Sequence, residues 1–242
     1  MFSDDLTIVE EGIFDDQMKY LHDNGYTTLT PDEFYQWHAG EKEFPKKSVM
    51  ITIDDGCYDA YYIAYPIIKK YGFSATVFCI GKNLAGVTPE YNTDVNVNDY
   101  VREDVISKVR EEYPRFYFES HTYNMHKRVD GKPPVSVFTY DQMMDDFNEN
   151  AKYEFSYLAY PWGNYSDTVW QVLEDCNYKM AFTYKPYYYA LRSDNKYAVN
   201  RIKIPGNLPL DTFIDICEGK SASRDNPEAP ENQSSSSEDN AN

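Results

Sequence analysis

The chain has 242 residues and a formal net charge of −17 at neutral pH, and 42% of its residues are hydrophobic. This length suits one domain with a sizeable core, and no stretch reaches the roughly 18 consecutive apolar residues that a membrane-spanning helix needs. The negative charge disfavours nucleic acid as a partner because phosphate backbones are repelled, and the first residues lack the basic start and apolar stretch of a signal peptide.

Helix and strand signals alternate along the chain. Apolar residues at helical spacing, an N-cap such as Thr30 and stops such as Gly25 and Gly72 mark the helices. Short apolar, β-branched runs bounded by turn residues mark the strands. The predicted strands are 26–29, 48–53, 75–80, 115–119, 155–160, 179–183 and 200–204, and the predicted helices begin near residues 14, 30, 58, 99, 139, 166 and 211.

This alternation predicts an α/β fold with a parallel sheet, right-handed crossovers and helices on its outside. Polar clusters follow several of the strands directly, and barrels of βα units keep their active sites at the carboxyl ends of the strands. We predict one folded domain over residues 1–217. Residues 218–242, with a run of four serines and scattered acids, are predicted to be a disordered tail.

Four residues stand out chemically: Asp54 and Asp55 at the end of an apolar strand, and His121 and His126 after another. Adjacent carboxylates there cost free energy unless positive charge offsets them, although Asp-Gly is also a common turn pair. Two imidazoles five residues apart can converge on one metal if the chain between them turns. One aspartate and two histidines form a facial ligand set with open positions, which leaves the second aspartate free as a base.

Three segments resemble motifs of the polysaccharide deacetylases, the NodB homology family (carbohydrate esterase family four). ITIDDGCYD, residues 51–59, resembles the first motif of that family. SHTYNMH at 120–126 and LAYPWGNYS at 158–166 resemble its histidine motif and its third motif, in the forms found in the poly-N-acetylglucosamine deacetylase branch. Their order and spacing match over roughly residues 14–216.

The resemblance implies a distorted (β/α) barrel with about seven parallel strands. It implies a hydrolase of non-peptide amide bonds that removes N-acetyl groups from an N-acetylglucosamine-containing polysaccharide (poly-N-acetylglucosamine, peptidoglycan or a chitin-like chain) and releases acetate. Asp55, His121 and His126 would bind a divalent metal, usually Zn²⁺ and sometimes Co²⁺ or Ni²⁺, and Asp54 would be the general base. Members of this kind act at the cell wall, so the resemblance implies a secreted or cell-surface protein.

In the third motif, the resemblance assigns the backbone N–H of Trp162 to the developing oxyanion, while Tyr160 and Pro161 shape the substrate groove. The chain departs from the family at two places. Ala159 stands where many members carry an arginine that bonds the base. No histidine follows His126, so the usual histidine general acid has no counterpart, and Arg201 near the last predicted strand is the residue that could contribute there.

Other interpretations remain open. The missing histidine acid favours a deacetylase-like glycan-binding module, whereas the retained Asp54 opposes it. Iron-dependent oxygenases also use two histidines and a carboxylate, but usually in the order His-x-Asp and on an all-β scaffold. Cys57 follows the aspartates and could be a nucleophile, although a small buried residue is the favoured interpretation. The four cysteines are widely spaced and indicate neither a disulfide framework nor a thiolate zinc site.

Overall fold

The computed structural model describes residues 8–90, 99–184 and 188–220, and these ranges contain seven strands and seven α-helices. The strands are β1 (Thr27–Thr28), β2 (Ser48–Val49), β3 (Ile51–Ile53), β4 (Ala75–Cys79), β5 (Phe116–Ser120), β6 (Tyr157–Ala159) and β7 (Met180–Phe182). The helices are α1 (Glu11–Asp23), α2 (Pro31–His38), α3 (Tyr65–Lys70), α4 (Glu103–Glu112), α5 (Tyr140–Asn150), α6 (Asp167–Asp175) and α7 (Leu210–Cys217).

Strands β3 to β7 form one parallel sheet in chain order, and β1 and β2 form a separate parallel pair. One helix lies in each crossover from β3 to β7, as parallel neighbours require. This confirms the predicted α/β fold with a parallel sheet, and the sheet is curled. The curled sheet has five strands, so a barrel of about seven remains a prediction. No described helix has the length and apolar character needed to cross a bilayer.

Alternate side chains of each strand point to opposite faces of the sheet, and apolar side chains cover both faces. Val77 and Phe118 belong to the large core that packs under the helices. Phe78 and Phe182 point into a second, smaller core on the other face, which Phe34 of α2 helps to cover. Burial on both faces explains why β6 and β7 are buried at every position instead of alternating.

Two strand predictions were wrong, one in the extent of the strand and one in its existence. The apolar run 48–53 is not one strand, since β2 pairs with β1 while β3 pairs with β4, and the change of partner falls at Met50. The predicted strand at 200–204 does not form. Val199 makes a single parallel bridge to Phe182, and Arg201 then directs its side chain towards Asp54. Helix α7 ends at Cys217, and the predicted tail lies, from residue 221 onwards, outside the described residues.

Glu119 replaces part of the backbone pairing between β5 and β6. These strands share one bridge, Ser120 to Leu158, and the Glu119 carboxylate accepts the backbone N–H groups of Ser156 at 2.9 Å and Tyr157 at 3.0 Å. Burial raises the pKa of Glu119 from 4.5 to about 7, because the two hydrogen bonds only partly offset the loss of hydration. Glu119 therefore makes the stability of the contact between β5 and β6 depend on pH.

We expect Glu119→Gln to remove a pH-dependent part of the stability. A carboxyl with a raised folded pKa stabilises fully below its unfolded value, and the contribution is lost as pH rises to about 7. The wild type should lose on the order of 2–3 kcal/mol of unfolding free energy across this window. The glutamine oxygen can accept both N–H groups and does not ionise, so urea titrations of E119Q at pH 5 and 8 should differ less. The exposed Glu111→Gln is the control. A loss of unfolding free energy between pH 5 and pH 8 that is as large in E119Q as in the wild type contradicts the prediction.

Candidate metal centre and base

The predicted ligands lie at the carboxyl edge of the curled sheet. Asp55 follows β3 after one residue, Asp54, and His121 follows β5 directly. Asp55 has a φ of 72° and Gly56 a φ of 73°. A Cβ on Gly56 would lie 2.8 Å from the sulfur of Cys79, so only glycine fits this close turn. The turn directs the Asp55 carboxylate back over the strand ends, and such strained backbone is typical of functional sites.

The structure brings the three predicted ligands together. Asp55 Oδ1 lies 3.3 Å from Nε2 of His121 and 3.3 Å from Nε2 of His126. One ligand atom from each residue lies within 4.8 Å of the others. Asp55, His121 and His126 form the only such group of His, Cys, Asp and Glu side chains within 8–90, 99–184 and 188–220.

The hydrogen bonds of this cluster fit a cation. His121 is buried, and its Nδ1 lies 2.7 Å from the carbonyl oxygen of Ala159. Because a carbonyl can only accept, Nδ1 carries the proton, and in a neutral ring the Nε2 lone pair then faces the Asp55 carboxylate. Two acceptors so close together repel unless a positive charge lies between them. A backbone carbonyl that fixes the tautomer is also the usual partner of a metal-binding histidine.

The surroundings of the cluster shift the pKa of two of its members. Burial alone would raise the pKa of Asp55, but when the histidines are protonated the hydrogen bond from His121 and the charges of both rings lower it. Burial also lowers the pKa of His126, against the attraction of Asp55. An ionised carboxylate and a neutral imidazole are the forms that bind divalent metals.

Asp146 of α5, which the sequence analysis missed, shapes the histidine loop. Its carboxylate accepts the backbone N–H groups of Tyr123 at 2.8 Å and Asn124 at 2.7 Å. Thr122 adds a left-handed turn, with a φ of 65°. Together these features turn the chain back on itself, so that the His126 ring lies beside the His121 ring. The signal in the sequence was a carboxylate on the buried face of an amphipathic helix.

Arg201 binds the predicted base. Its guanidinium holds Asp54 through two hydrogen bonds, Nη1 to Oδ1 at 2.7 Å and Nη2 to Oδ2 at 2.8 Å, and Nη1 also contacts Thr52 Oγ1 at 3.1 Å. Burial would raise the pKa of Asp54, but Arg201 outweighs it and holds the pKa at about 2. Arg201 therefore makes the contact with Asp54 that the resemblance assigned to an arginine at the position of Ala159, while the Asp54 side chain stays 37% exposed.

We expect Arg201→Ala to reduce kcat by about 10–100-fold with little change in KM, because Arg201 contacts the base and not the groove. Guanidinium ions at millimolar concentration should restore part of the rate, since they can occupy the vacated position beside Asp54. The kcat of Arg201→Lys should stay below that of the wild type, because an ammonium cannot make both hydrogen bonds to Asp54. Arg192→Ala, which breaks the exposed pair with Glu43, is the control. Loss of rate without rescue would mean that Arg201 only maintains the fold.

The third motif places Trp162 beside the cluster. Pro161–Gly163 form a short 3₁₀ turn in which Trp162 has a φ of 55°. A Cβ on Gly163 would lie 2.8 Å from the backbone nitrogen of Tyr184, so this turn is tightly packed. The Trp162 indole stacks on the His126 ring with centroids 4.8 Å apart. The backbone amide N–H of Trp162 donates no backbone hydrogen bond within the described residues.

Tyr160 and Pro161 lie beneath this turn. Tyr160 is 1% exposed and donates its hydroxyl to the carbonyl of Tyr197 at 2.8 Å, and Pro161 is buried. Their role in shaping the substrate groove stays a prediction. Cys57 is half-buried, and burial raises its pKa to about 12. A thiol with so high a pKa is a poor nucleophile, which favours the structural interpretation of Cys57.

Fold and site together define a parallel α/β protein with an Asp-His-His cluster at the carboxyl edge of its sheet. Residues 41–181 match the family model described as polysaccharide deacetylase. The chain belongs to the polysaccharide deacetylase family, which confirms the predicted family and enzyme class. The parallel α/β fold also contradicts the all-β scaffold that the oxygenase alternative required.

Relatives agree with this assignment. YxkH of Bacillus subtilis (strain 168), provisionally designated a polysaccharide deacetylase, is 32% identical over 203 residues, which are 83% of this chain and 67% of that protein. Poly-beta-1,6-N-acetyl-D-glucosamine N-deacetylase of Staphylococcus aureus (strain MRSA252) is 29% identical over 72% of this chain and 60% of its own length. The structure of the Streptococcus pyogenes deacetylase PplD in complex with acetate superposes with a TM-score of 0.69 at 28% identity, covering 86% of this chain and 87% of that one.

Proposed function

We propose that this protein is a metal-dependent hydrolase that removes N-acetyl groups from an N-acetylglucosamine-containing polysaccharide and releases acetate. The observation that carries the proposal is the convergence of Asp55, His121 and His126, with Asp54 adjacent and held by Arg201. The Staphylococcus aureus relative is named for poly-β-1,6-N-acetylglucosamine, and poly-N-acetylglucosamine, peptidoglycan and chitin-like chains are the candidate polymers. A polymer of this kind implies action outside the cell or at its surface.

Asp55, His121 and His126 would hold the metal through one carboxylate oxygen and two Nε2 atoms. Zn²⁺ suits this nitrogen and oxygen set best, and Co²⁺ and Ni²⁺ are also suitable. A bound cation of this type would lower the pKa of water towards about 7 and polarise the acetamide carbonyl.

Asp54 would accept the proton of the attacking water on the exposed part of its carboxylate. Arg201 keeps that carboxylate ionised and fixes its orientation. As the carbonyl carbon becomes tetrahedral, the Trp162 amide N–H would donate to the oxygen that gains negative charge. One well-placed donor of this kind contributes about 3–4 kcal/mol to the transition state.

Collapse of the tetrahedral species breaks the C–N bond, and the leaving amine must gain a proton. The family's histidine donor has no counterpart after His126. Asp54 can return the proton it has just accepted to the leaving nitrogen, because an amine is a much stronger base than a carboxylate. One residue would then act as base in the first step and as acid in the second.

The test is acetate release. The zinc-loaded protein is incubated with β-1,6- and β-1,4-linked N-acetylglucosamine oligomers and with peptidoglycan fragments, with and without a chelator, and binding is followed by calorimetry. Zinc-dependent acetate release is the expected result, and its rate across the panel identifies the polymer. Binding of the oligomers without acetate release would favour the alternative, a deacetylase-like glycan-binding module.

A further inference from the structure

The turn formed by residues 127–132 is positively charged in an acidic chain. It follows His126 directly and contains Lys127, Arg128 and Lys132 against one acid, Asp130, which gives three minus one, or +2, in a chain of formal charge −17. Within the described ranges, none of these three cations forms an ion pair. The turn is therefore a local positive surface next to a predicted metal ligand.

The backbone of this turn is fixed. Val129 and Lys132 exchange two backbone hydrogen bonds of 2.9 and 3.0 Å. Asp130 and Gly131 between them have φ angles of 49° and 76°, the left-handed pair that a tight hairpin turn requires. A fixed turn presents its side chains in a defined direction, so recognition by them loses little conformational entropy.

Arg128 is connected to the candidate metal centre through one aromatic ring. Its guanidinium carbon lies 4.8 Å from the centre of a Trp162 ring, and the Trp162 indole stacks on His126. Nη1 donates to the carbonyl of Gly131 at 3.0 Å. A guanidinium has five N–H donors, so a planar edge of Arg128 stays available on the exposed side, within the described part of the chain.

We propose that Arg128 forms an anion-binding subsite beside the metal centre, which recognises a carboxylate or phosphate on the sugar next to the acetamido sugar that reacts. The proposal rests on the proposed function and adds a substrate class: N-acetylated polysaccharides that carry negative charge. A guanidinium edge binds either anion through two parallel hydrogen bonds.

The acidic character of the whole chain does not prevent this. Charges further away than about 8 Å are largely screened at physiological ionic strength, whereas an anion in contact with Arg128 is not. Lys127 and Lys132 raise the local potential and would bring the polymer to the turn. Recognition should therefore weaken as salt is added, as expected for exposed charges.

The test compares three N-acetylglucosamine oligomers of equal length: a neutral one, one alternating with N-acetylmuramic acid, and one with phosphodiester links. Acetate release and calorimetric binding are measured for the wild type, Arg128→Gln, Arg128→Lys and the exposed control Lys42→Gln. We expect the wild type to prefer at least one anionic oligomer. In R128Q the anionic-to-neutral ratio of kcat/KM should fall by about tenfold, the scale of one hydrogen bond to a charged group. R128K should retain more of the ratio, and K42Q all of it.

The outcomes separate the two proposals. Preference for one anionic oligomer identifies carboxylate or phosphate as the ligand. If R128Q lowers activity on all three oligomers equally, Arg128 only holds Trp162 in place and the anion subsite is overturned, while the hydrolase stands. If no oligomer releases acetate but R128Q still loses the preference in binding, the subsite stands and the hydrolase fails. Equal binding of the neutral and anionic oligomers by the wild type also overturns the subsite.

Discussion

Asp54→Asn is expected to reduce kcat for acetate release by about 10²–10⁴-fold, the usual contribution of a general base. The asparagine side chain keeps the size of Asp54 and can still accept one hydrogen bond from Arg201, so the fold should persist. It cannot accept a proton from water or return one to the amine. The measurement is acetate release at saturating oligomer, together with zinc binding by calorimetry, which should stay close to the wild-type value because Asp55 is unchanged.

The control for this prediction is Asp15→Asn, which breaks an exposed pair with Lys70 on the outside of the molecule and should leave the rate unchanged. The double variant with Arg201→Ala sharpens the test. If Arg201 acts through Asp54, its removal should cost much less in the D54N background than in the wild type. Retention of more than a tenth of the rate in D54N would show that another group takes the proton.

The Asp-His-His cluster could be predicted because two of its members follow strands of the sheet. Asp55 and His121 each follow a short apolar run, and parallel strands bring such ends to one edge whatever the lengths of the connections. The φ of 72° at Asp55 could not be predicted, since aspartate has only a weak preference for that region. The glycine after it was the visible sign of a turn, and its tight contact with Cys79 is a product of tertiary packing.

Arg201 shows where local patterns fail. It lies 147 residues from Asp54 in the chain, and nothing near it marks it as a partner of that carboxylate. The sequence analysis named Arg201 as a substitute for the missing histidine acid, and it showed that the usual arginine position holds Ala159, but the structure places Arg201 on Asp54. The predicted strand at 200–204 failed for a related reason, because a short segment with alternating apolar residues does not reveal whether a sheet neighbour is present. Met50 is a third case, since the pattern of 48–53 is continuous although its pairing partner changes within it.

Removal of the metal is expected to abolish acetate release and to lower the melting temperature. A ligand present at about 100 times its Kd stabilises the folded state by about 2.7 kcal/mol. For a domain of this size that corresponds to roughly 5–10 °C. Dialysis against a chelator should produce both effects, and addition of Zn²⁺ should reverse both. Differential scanning calorimetry with and without the metal measures the shift independently of any substrate.

His121→Ala should reproduce the metal-free state even with zinc present, because it removes the ligand whose tautomer is fixed by Ala159. Zinc affinity should fall by about 100-fold or more, and the zinc-dependent rise in melting temperature should disappear. His22→Ala is the matched control, since His22 lies on α1 beside Asp23 and away from the cluster. If H121A binds zinc as tightly as H22A does, the bound metal lies elsewhere. The close approach of two imidazoles to one carboxylate would then need a shared proton in place of a cation.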